Sequence, residues 1–257
     1  MTDIELVTDW MRNSRYITLF TGAGMSTESG LPDFRSSGGL WTNNRRFEEL
    51  ASVEALAHDY DEFVAFYRWR ITELQKYAPH EGHFAIARLQ AQGRIQALIT
   101  QNVDGFHQRA GSPDPFQLHG GLDHVRCHEC GHKAPALTFL APEGTRCVKC
   151  GGKMRPGVVL FGERLPQDAF AGAQAASEQA DLFIVLGSSL LVSPANMMPE
   201  VALMHGAKLV IVNQSETPLT SHAALAIDAP IGALLAELEL RLAGLGVQGE
   251  GAPPKGT

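Results

Sequence analysis

All four cysteines of this 257-residue chain belong to two Cys-x-x-Cys pairs, a spacing that suits metal binding. The pairs are Cys127 with Cys130 and Cys147 with Cys150, and sixteen residues separate the two pairs. Each pair can hold a tetrahedral ion from a tight turn, and four thiolates complete its coordination. We predict one structural zinc ion, with a redox pair or free thiols as the alternatives. His128 and His132 are nearby alternative ligands that a complete set of four sulfurs does not need.

A glycine-rich segment, residues 22–30, follows the short apolar run Tyr16 to Thr21. Glycines let a backbone approach a phosphate closely, and a following helix N-terminus would stabilise the phosphate charge. A dehydrogenase fingerprint has glycine where Thr27 stands and an acid about twenty residues later, and neither fits well here. The segment predicts a nucleotide loop, with a plain strand-to-helix turn as the alternative.

The residues after this loop, Asp33-Phe34-Arg35, combine an acid, an aromatic ring and a guanidinium. Such a set could hold a ribose, cover a nicotinamide and pair with an anion. The alternative is a surface loop with a salt bridge.

His119 lies in Gln117-Leu118-His119-Gly120-Gly121, between an apolar stretch and two glycines. An imidazole titrates near neutrality, as a general base should, and this position suits the end of an element that faces a cleft. His119 is one of ten histidines, most of which we expect to be structural. Those interpreted as solvated or hydrogen-bonded are His58, His80, His83, His107, His124, His205 and His222.

Apolar runs and helical patterns alternate along the chain and predict the elements that position these residues. The predicted strands are Tyr16 to Thr21, Gln96 to Thr100, Asp181 to Leu186 and Lys208 to Val212. The predicted helices are Gly82 to Gln92, Asp168 to Ala180, Ala195 to His205 and Ile231 to Ala243. This alternation indicates an α/β fold, a parallel sheet with helices on both faces. Ligands bind beyond the carboxyl ends of such strands, where the segments starting at Gly22, Gln101, Gly187 and Asn213 lie.

Two segments interrupt the alternation and predict a smaller lobe. They are a helical insertion at residues 36–78 and a zinc-binding module at residues 123–155. The larger lobe then comprises residues 1–35, 79–122 and 156–245, and residues 246–257 are predicted to form a disordered tail.

The formal net charge of −7 argues against a nucleic-acid-binding protein, which normally has a basic stripe. No apolar stretch approaches the ~20 residues that span a bilayer. The first residues are acidic where a signal peptide is basic. We therefore expect a cytoplasmic protein without nucleic-acid or membrane partners. The sequence leaves the oligomeric state open and is compatible with a monomer.

Seven motifs, in this order, resemble the sirtuin family. They are Gly22-Ala23-Gly24, Pro32-Asp33-Phe34-Arg35, Thr100-Gln101-Asn102-Val103-Asp104, His119-Gly120, Phe161-Gly162-Glu163, Gly187-Ser188-Ser189 and Val212-Asn213. The two cysteine pairs also fall where sirtuins carry zinc. The resemblance extends from about Tyr16 to Ala243 and implies a Rossmann-like lobe, a zinc-ribbon and helical lobe, and an active site between them. It implies NAD-dependent removal of acyl groups from protein lysine, which yields nicotinamide and O-acyl-ADP-ribose.

The resemblance also implies roles for individual residues. The catalytic residues are His119, Asn102 and Asp104. The NAD-binding residues are Gly22, Ala23, Gly24, Thr27, Asp33, Phe34, Arg35, Trp41, Gln101, Asn102, Val103, Asp104, Gly187, Ser188, Ser189, Asn213, Gln214, Ser215 and Ile231. The residues for the acylated substrate are Ala51, Tyr67, Arg70, Val159, Phe161, Gly162, Glu163 and Val192. A simple Asx turn is the alternative for Asn102 and Asp104.

Tyr67 and Arg70 resemble the Tyr-x-x-Arg pair of the sirtuin branch that removes malonyl and succinyl groups. Arg70 could pair with a distal carboxylate, the Tyr67 hydroxyl could hydrogen-bond to it, and Ala51 stands where that branch keeps a small residue. Asp33 is instead more typical of ordinary deacetylases. The alternative is a solvated arginine and a tyrosine at the edge of the core.

Three other classes of function compete with this interpretation. Mono-ADP-ribosyl transfer is chemically adjacent, although the presence of His119, Asn102 and Asp104 favours deacylation. A nicotinamide-dependent dehydrogenase shares the expected core, but Thr27 counts against it. A non-catalytic zinc module would not need a histidine beside a nucleotide loop.

Overall fold

The computed structural model describes residues 1–34 and 36–244, and nine strands and ten α-helices lie in these ranges. The strands are β1 (Ile17–Thr21), β2 (Ala97–Thr100), β3 (Phe116–Gln117), β4 (Gly120–Cys127), β5 (Lys133–Pro135), β6 (Met154–Val158), β7 (Leu182–Leu186), β8 (Lys208–Val212) and β9 (Leu225–Ile227). The helices are α1 (Asp3–Asn13), α2 (Leu40–Asn43), α3 (Arg45–Leu50), α4 (Val53–His58), α5 (Tyr60–Leu74), α6 (Glu81–Ala91), α7 (Phe106–Arg109), α8 (Gln167–Gln179), α9 (Met197–Met204) and α10 (Ile231–Leu242).

The main sheet has six parallel strands in the order β3-β2-β1-β7-β8-β9. The four strands predicted from apolar runs are confirmed to within one residue at each end. The edge strands β3 and β9 were not predicted, because two or three residues are too short to show a pattern. Helix α1 was also not predicted, although Thr2 and Glu5 form the capping box that marks its start.

Apolar side chains on the two faces of this sheet form two separate cores. On one face, Leu19 and Ile184 pack with residues of α1, α6 and α10. On the other face, Phe20 and Phe183 pack with residues of α8 and α9. Strands buried on both faces are continuous apolar runs, and this confirms the predicted α/β fold with helices on both faces.

A second sheet, antiparallel in the order β5-β4-β6, packs with helices α3 to α5 around its own core. This sheet begins at Gly120 and ends at Val158, so it extends a few residues beyond the segment 123–155 on each side. Gly120 has a φ of 68°, and a Cβ there would lie 2.1 Å from the Gly157 carbonyl oxygen. Only glycine therefore lets β4 start at this point, directly after His119.

Arg35, predicted to bind NAD, and the tail 246–257, predicted to be disordered, lie outside the described residues. Among the described residues, none of the helices has the length and apolar character that crossing a membrane requires.

Candidate active site

Two glycine loops meet at the carboxyl edge of the main sheet, where β1 and β7 end side by side. The Gly24 amide donates to the Gly187 carbonyl oxygen at 2.9 Å. A Cβ on Gly22 would lie 2.6 Å from that oxygen, and Gly187 itself has a φ of 62°. The predicted nucleotide loop therefore needs glycine for its contact with the second loop. This contact lies at the point where the strand order reverses, the usual ligand position in such sheets.

Asn102 and Asp104 follow β2 and are both buried at this edge. The Asn102 side chain donates to the Gly22 carbonyl oxygen at 2.9 Å and to the Ser26 hydroxyl at 3.2 Å. The Ser26 hydroxyl in turn donates to Asp104 at 2.7 Å. Ser26 was not predicted as a site residue, because its only signal in the sequence was its place in the glycine-rich segment. The cluster thus joins both predicted catalytic side chains to the predicted nucleotide loop.

The Asp104 carboxylate also accepts the Phe106 amide at 2.8 Å, so the turn proposed as an alternative is present together with the cluster. Burial raises the pKa of Asp104, although the hydrogen bonds from Phe106 and Ser26 oppose the rise. A buried carboxylate with two donors is a strong acceptor for a further polar group in the adjoining cleft.

His119 is half-buried between β3 and β4, and its Nδ1 lies 3.0 Å from the Gln101 carbonyl oxygen. A carbonyl only accepts, so Nδ1 carries the proton in the neutral ring and Nε2 carries the lone pair. The Nε2 atom is therefore the basic nitrogen of a side chain that lines the large cleft. This is the tautomer that a general base requires.

The large cleft has about 960 Å³ of empty volume and runs between the main sheet and the smaller lobe. Residues from all three predicted sets, those for catalysis, for NAD binding and for substrate binding, line this cleft. They are Phe34, Trp41, Ala51, Tyr67, Arg70, Gln101, Asn102, Val103, His119, Val159, Phe161, Gly162, Glu163 and Val192. One wall is aromatic, with Trp41 4.6 Å from Phe34 and 5.4 Å from Phe161 between ring centroids. A neighbouring cavity shares Phe34, Arg70 and Asn102 with it and adds Ala23 and Asp104.

Other residues predicted to bind NAD lie along the same edge without lining the cleft. Ser188 is buried and accepts a hydrogen bond from the Gln101 side chain at 2.8 Å. The Asn213 side chain donates to the Ser215 carbonyl oxygen, and the Thr27 hydroxyl donates to the Gly24 carbonyl oxygen. The remaining four are Ser189 after β7, the exposed Gln214 after β8, Ile231 at the start of α10, and Asp33, whose carboxylate accepts the Ser36 amide at 2.9 Å.

Tyr67 and Arg70 face the cleft from helix α5. Burial raises the pKa of Tyr67 to about 12. The Arg70 guanidinium lies 5.4 Å from the Phe34 ring centroid and 5.9 Å from that of Phe66. Among residues 1–34 and 36–244, no group forms a salt bridge or hydrogen bond with Arg70; burial lowers its pKa, and the nearby Tyr67 and Asp104 oppose this shift. A half-buried cation of this kind favours an anionic group in the cleft.

Glu163, at the cleft edge, is held by a buried ion pair that the sequence did not reveal. Arg155 is fully buried and contacts both Glu163 oxygens, at 2.5 and 2.9 Å, while Arg126 approaches at 3.2 Å. Burial raises the pKa of Glu163, but the hydrogen bonds from Arg155 and from the Leu160 amide outweigh it and lower the pKa overall. The ion pair thereby fixes the segment 159–163 that lines the cleft.

Replacement of Arg155 by methionine is expected to lower the free energy of unfolding by about 3–5 kcal/mol, because it leaves a partly buried carboxylate without its main partner. Arg126→Met is the control. This arginine contacts the same carboxylate but is one-third exposed, so its loss should cost about 1 kcal/mol or less. Urea unfolding of both variants measures the difference, and equal costs would contradict the role given to Arg155.

Three histidines pack behind the carboxyl edge, and two of them are fully buried. The ring centroids of His83 and His80 lie 4.5 Å apart, and those of His83 and His107 lie 4.9 Å apart. Burial lowers the pKa of His83 to about 2 and that of His107 to about 3, and neighbouring histidines add to both shifts. Both rings are therefore neutral at physiological pH.

These two histidines should make the protein less stable in acid. An unfolded histidine takes up a proton below about pH 6.5, whereas the folded rings do not. Stability is therefore complete above pH 6.5 and falls as the pH is lowered toward the folded pKa values. Between pH 7 and 5 each ring should remove about 2 kcal/mol from the free energy of unfolding. Urea unfolding at pH 7 and pH 5 measures the loss of stability. The part that the two histidines cause should be halved in His107→Gln, and a loss equal to that of the wild type would contradict the role given to His107.

The four cysteine sulfurs form one cluster and all lie within 4.8 Å of one another. The Sγ atoms of Cys127 and Cys150 are 3.5 Å apart, and those of Cys130 and Cys147 are 3.7 Å apart. Four sulfurs at ~2.3 Å from one zinc ion lie at about this mutual separation, whereas a disulfide bond is far shorter. Each pair forms a turn that ends in a glycine of positive φ, Gly131 or Gly151. The donor set fits one structural zinc ion with no coordination position left for substrate.

Comparison with known proteins identifies relatives over most of the chain. The family model described as Sir2 family matches residues 22–194. The NAD-dependent protein deacetylase 1 of Geobacillus kaustophilus is 51% identical over 241 residues, which cover 92% of this chain and 98% of that protein. The NAD-dependent protein deacylase of Aquifex aeolicus is 46% identical over 211 residues, which cover 82% of this chain and 87% of that protein.

A solved structure has the same fold throughout. It is Sir2 in complex with an inhibitor, 2′-O-acetyl-ADP-ribose and a deacetylated p53 peptide. The TM-score is 0.83 at 34% identity, and the match covers 94% of this chain and 100% of that one.

Proposed function

The chain belongs to the Sir2 family, the sirtuins, and from this membership we propose that it removes acyl groups from lysine side chains of proteins in a reaction that consumes NAD. The products are free lysine, nicotinamide and O-acyl-ADP-ribose. The observation that carries the proposal is His119, whose tautomer makes Nε2 a base in the cleft that also contains Asn102. The relatives named above are deacetylases and deacylases, so the alternative of mono-ADP-ribosyl transfer is not favoured.

The residues of the carboxyl edge fit NAD as the co-substrate. The two glycine loops bring backbone close to the cleft, and Asn102 and Asp104 offer an amide and a carboxylate there. NAD, when bound, would supply the ribose that accepts the acyl group, and its nicotinamide would be the leaving group. Asn102 and Asp104 orient the ribose and the nicotinamide amide, while Phe34 and Trp41 shield this part of the cleft from water. His119 would accept at its Nε2 atom the proton of a ribose hydroxyl of NAD.

The acylated lysine of a protein substrate enters between the segments 159–163 and 191–193. The Val159 amide donates to the His119 carbonyl oxygen at 2.9 Å, which ties this segment to the backbone of the base. We propose that an extended peptide adds between the two segments through backbone hydrogen bonds. The cytoplasm is the proposed compartment, since its reducing conditions keep the cysteines available for zinc.

The first test is to incubate acetyl-lysine and succinyl-lysine forms of one peptide with the protein, with and without NAD, and to measure the peptide mass. We expect a loss of acyl mass only when NAD is present, together with release of nicotinamide. Turnover of neither peptide, with transfer of ADP-ribose to protein, would reject deacylation in favour of the alternative.

Arg70 and Tyr67 support activity on acidic acyl groups as well as on acetyl. Replacement of Arg70 by methionine should lower kcat/KM for the succinyl peptide by about 10- to 100-fold, since a hydrogen bond to a charged group contributes about 1.5–3 kcal/mol. The acetyl peptide should change much less, because it has no distal carboxylate.

The control for this prediction is Arg68→Met. Arg68 lies on the same helix but donates to the carbonyl oxygens of Phe139 and Ala141, away from the cleft. Loss of activity on both peptides to the same extent in Arg70→Met would mean that Arg70 only stabilises the helix.

A further inference from the structure

The segment 191–193, one edge of the proposed peptide site, follows a residue in an unusual backbone conformation. Leu190 has a φ of 55° and is only 2% exposed. A bulky residue rarely adopts this left-handed region, and it does so only where the surrounding structure holds it there. Val192 and Ser193 come shortly after Leu190 and line the large cleft. The conformation of Leu190 therefore sets the course of this edge of the cleft.

Two side chains hold the backbone of Leu190 in this conformation. Its amide donates to the Ser188 hydroxyl at 3.3 Å, and its carbonyl oxygen accepts from the Asn196 side-chain amide at 3.3 Å. The backbone amide of Asn196 also donates to the Val192 carbonyl oxygen at 2.9 Å. Asn196 thus contacts the chain on both sides of Leu191 through two separate donors.

The Asn196 side chain does not make the bond that an asparagine at its position usually makes. Asn196 is the N-cap residue of α9, where a side-chain oxygen normally accepts an amide of the first helical turn, but this bond is absent. Its Oδ1 atom is buried and has no partner within residues 1–34 and 36–244. An unpaired buried oxygen lowers stability, so helix capping does not account for this asparagine. The side chain instead directs Nδ2 to the Leu190 carbonyl oxygen.

Ser188, the other anchor of Leu190, is connected to the proposed base. The Ser188 hydroxyl also accepts from the Gln101 side chain at 2.8 Å. The carbonyl oxygen of the same Gln101 accepts from His119 Nδ1. One side of the turn at Leu190 is therefore anchored to the residue that orients the base, and Asn196 supplies the anchor on the other side.

We propose that Asn196 is a positioning residue for the substrate peptide, because its side chain holds Leu190 in the left-handed conformation and so places the segment 191–193 for an extended acyl-lysine peptide. Asn196 acts through Leu190 and Val192 rather than on the substrate itself. The role in peptide binding rests on the proposed function, whereas the hold on the segment does not.

Hydrogen exchange followed by mass spectrometry tests the hold on the segment without turnover. Asn196→Leu keeps the approximate shape and removes the donor, so the amides of residues 189–193 should exchange about three- to tenfold faster, the effect of one hydrogen bond. The amides of β7 and β8 should exchange as in the wild type. Unchanged exchange in the segment would overturn the proposal. An inactive wild-type protein that shows the expected change would reject the deacylase function and leave the hold on the segment established.

Steady-state kinetics with an acetyl-lysine peptide test the role in peptide binding. Asn196→Leu should raise KM for the peptide about three- to tenfold, again the effect of one hydrogen bond. KM for NAD and kcat should stay within about twofold of the wild-type values, because the nucleotide loop and the base keep their contacts. An equal rise in both KM values, or a fall in kcat alone, would show a general structural role and overturn the proposal.

Asn13→Leu is the matched control. The Asn13 Nδ2 atom also donates to a backbone carbonyl oxygen, that of Asp9 at 2.9 Å, but Asn13 is exposed at the end of α1. This variant should leave the exchange of residues 189–193 and both KM values as in the wild type, and a rise in peptide KM equal to that of Asn196→Leu would contradict the proposal. If Asn196→Leu does not fold, Asn196→Asp keeps the shape, likewise removes the donor, and is decided by the same outcomes.

Discussion

Replacement of His119 by alanine should reduce NAD-dependent removal of acetyl from a peptide by about 10²- to 10⁴-fold, the usual contribution of a general base. The reason is structural as well as chemical. The Gln101 carbonyl oxygen holds the proton on Nδ1, so Nε2 carries the lone pair of a side chain that lines the cleft. Single-turnover measurements with acetyl peptide and excess NAD give the rate of the chemical step.

His205→Ala is the matched control for this prediction. The His205 Nδ1 atom also lies near a carbonyl oxygen, that of Val201 at 2.9 Å, but His205 is exposed and away from the cleft. Its loss should leave the rate unchanged. Unaltered turnover in His119→Ala would instead exclude His119 as the base, and Asp104 would become the next candidate.

Removal of zinc should unfold the smaller lobe and abolish activity. Cys127 and Cys147 are buried in the core that also contains Phe63, Tyr67 and Phe139. Binding of a structural zinc ion contributes about 10–16 kcal/mol in small zinc domains, which is comparable to the whole stability of a typical domain. Tyr67 and the cleft wall should therefore lose their positions together with the ion.

The measurement combines metal analysis, which should find one zinc ion per chain, with circular dichroism and thermal unfolding before and after a chelator. Cys150→Ser should behave like the chelated protein. His128→Ala should retain the ion, because four sulfurs complete the site. Full thermal stability of a zinc-free protein would contradict a structural role for the metal.

The strands and the zinc cluster could be predicted because their signals are local. The four central strands are apolar along their whole length, since helices cover both faces of the sheet, and such runs are visible in the sequence. The cysteine pairs could be identified by spacing alone, because each pair binds from a single turn. Residues 22, 101, 187 and 213 could be placed at one edge because all parallel strands end there.

The edge strands show the limit of such patterns, whereas helix α1 was overlooked. Strand β3 has two residues and pairs only through residues 99 and 100 of β2, so nothing in its own sequence distinguishes it from a loop. Its register nevertheless matters, because His119 follows it by two positions. Helix α1 had a readable signal in its capping box.

The sequence by itself determined the family resemblance, the α/β fold, the zinc ligands and the residue types available for catalysis. The tertiary structure decided which nitrogen of His119 is basic, that Arg155 holds Glu163, and that His83 and His107 meet behind Thr21. The physical reason is that a tautomer, an ion pair or a buried contact depends on the partner that folding brings within about 3 Å. The ring contact between His83 and His107, for example, joins two different helices, α6 and α7, and no local pattern in the chain encodes that distance.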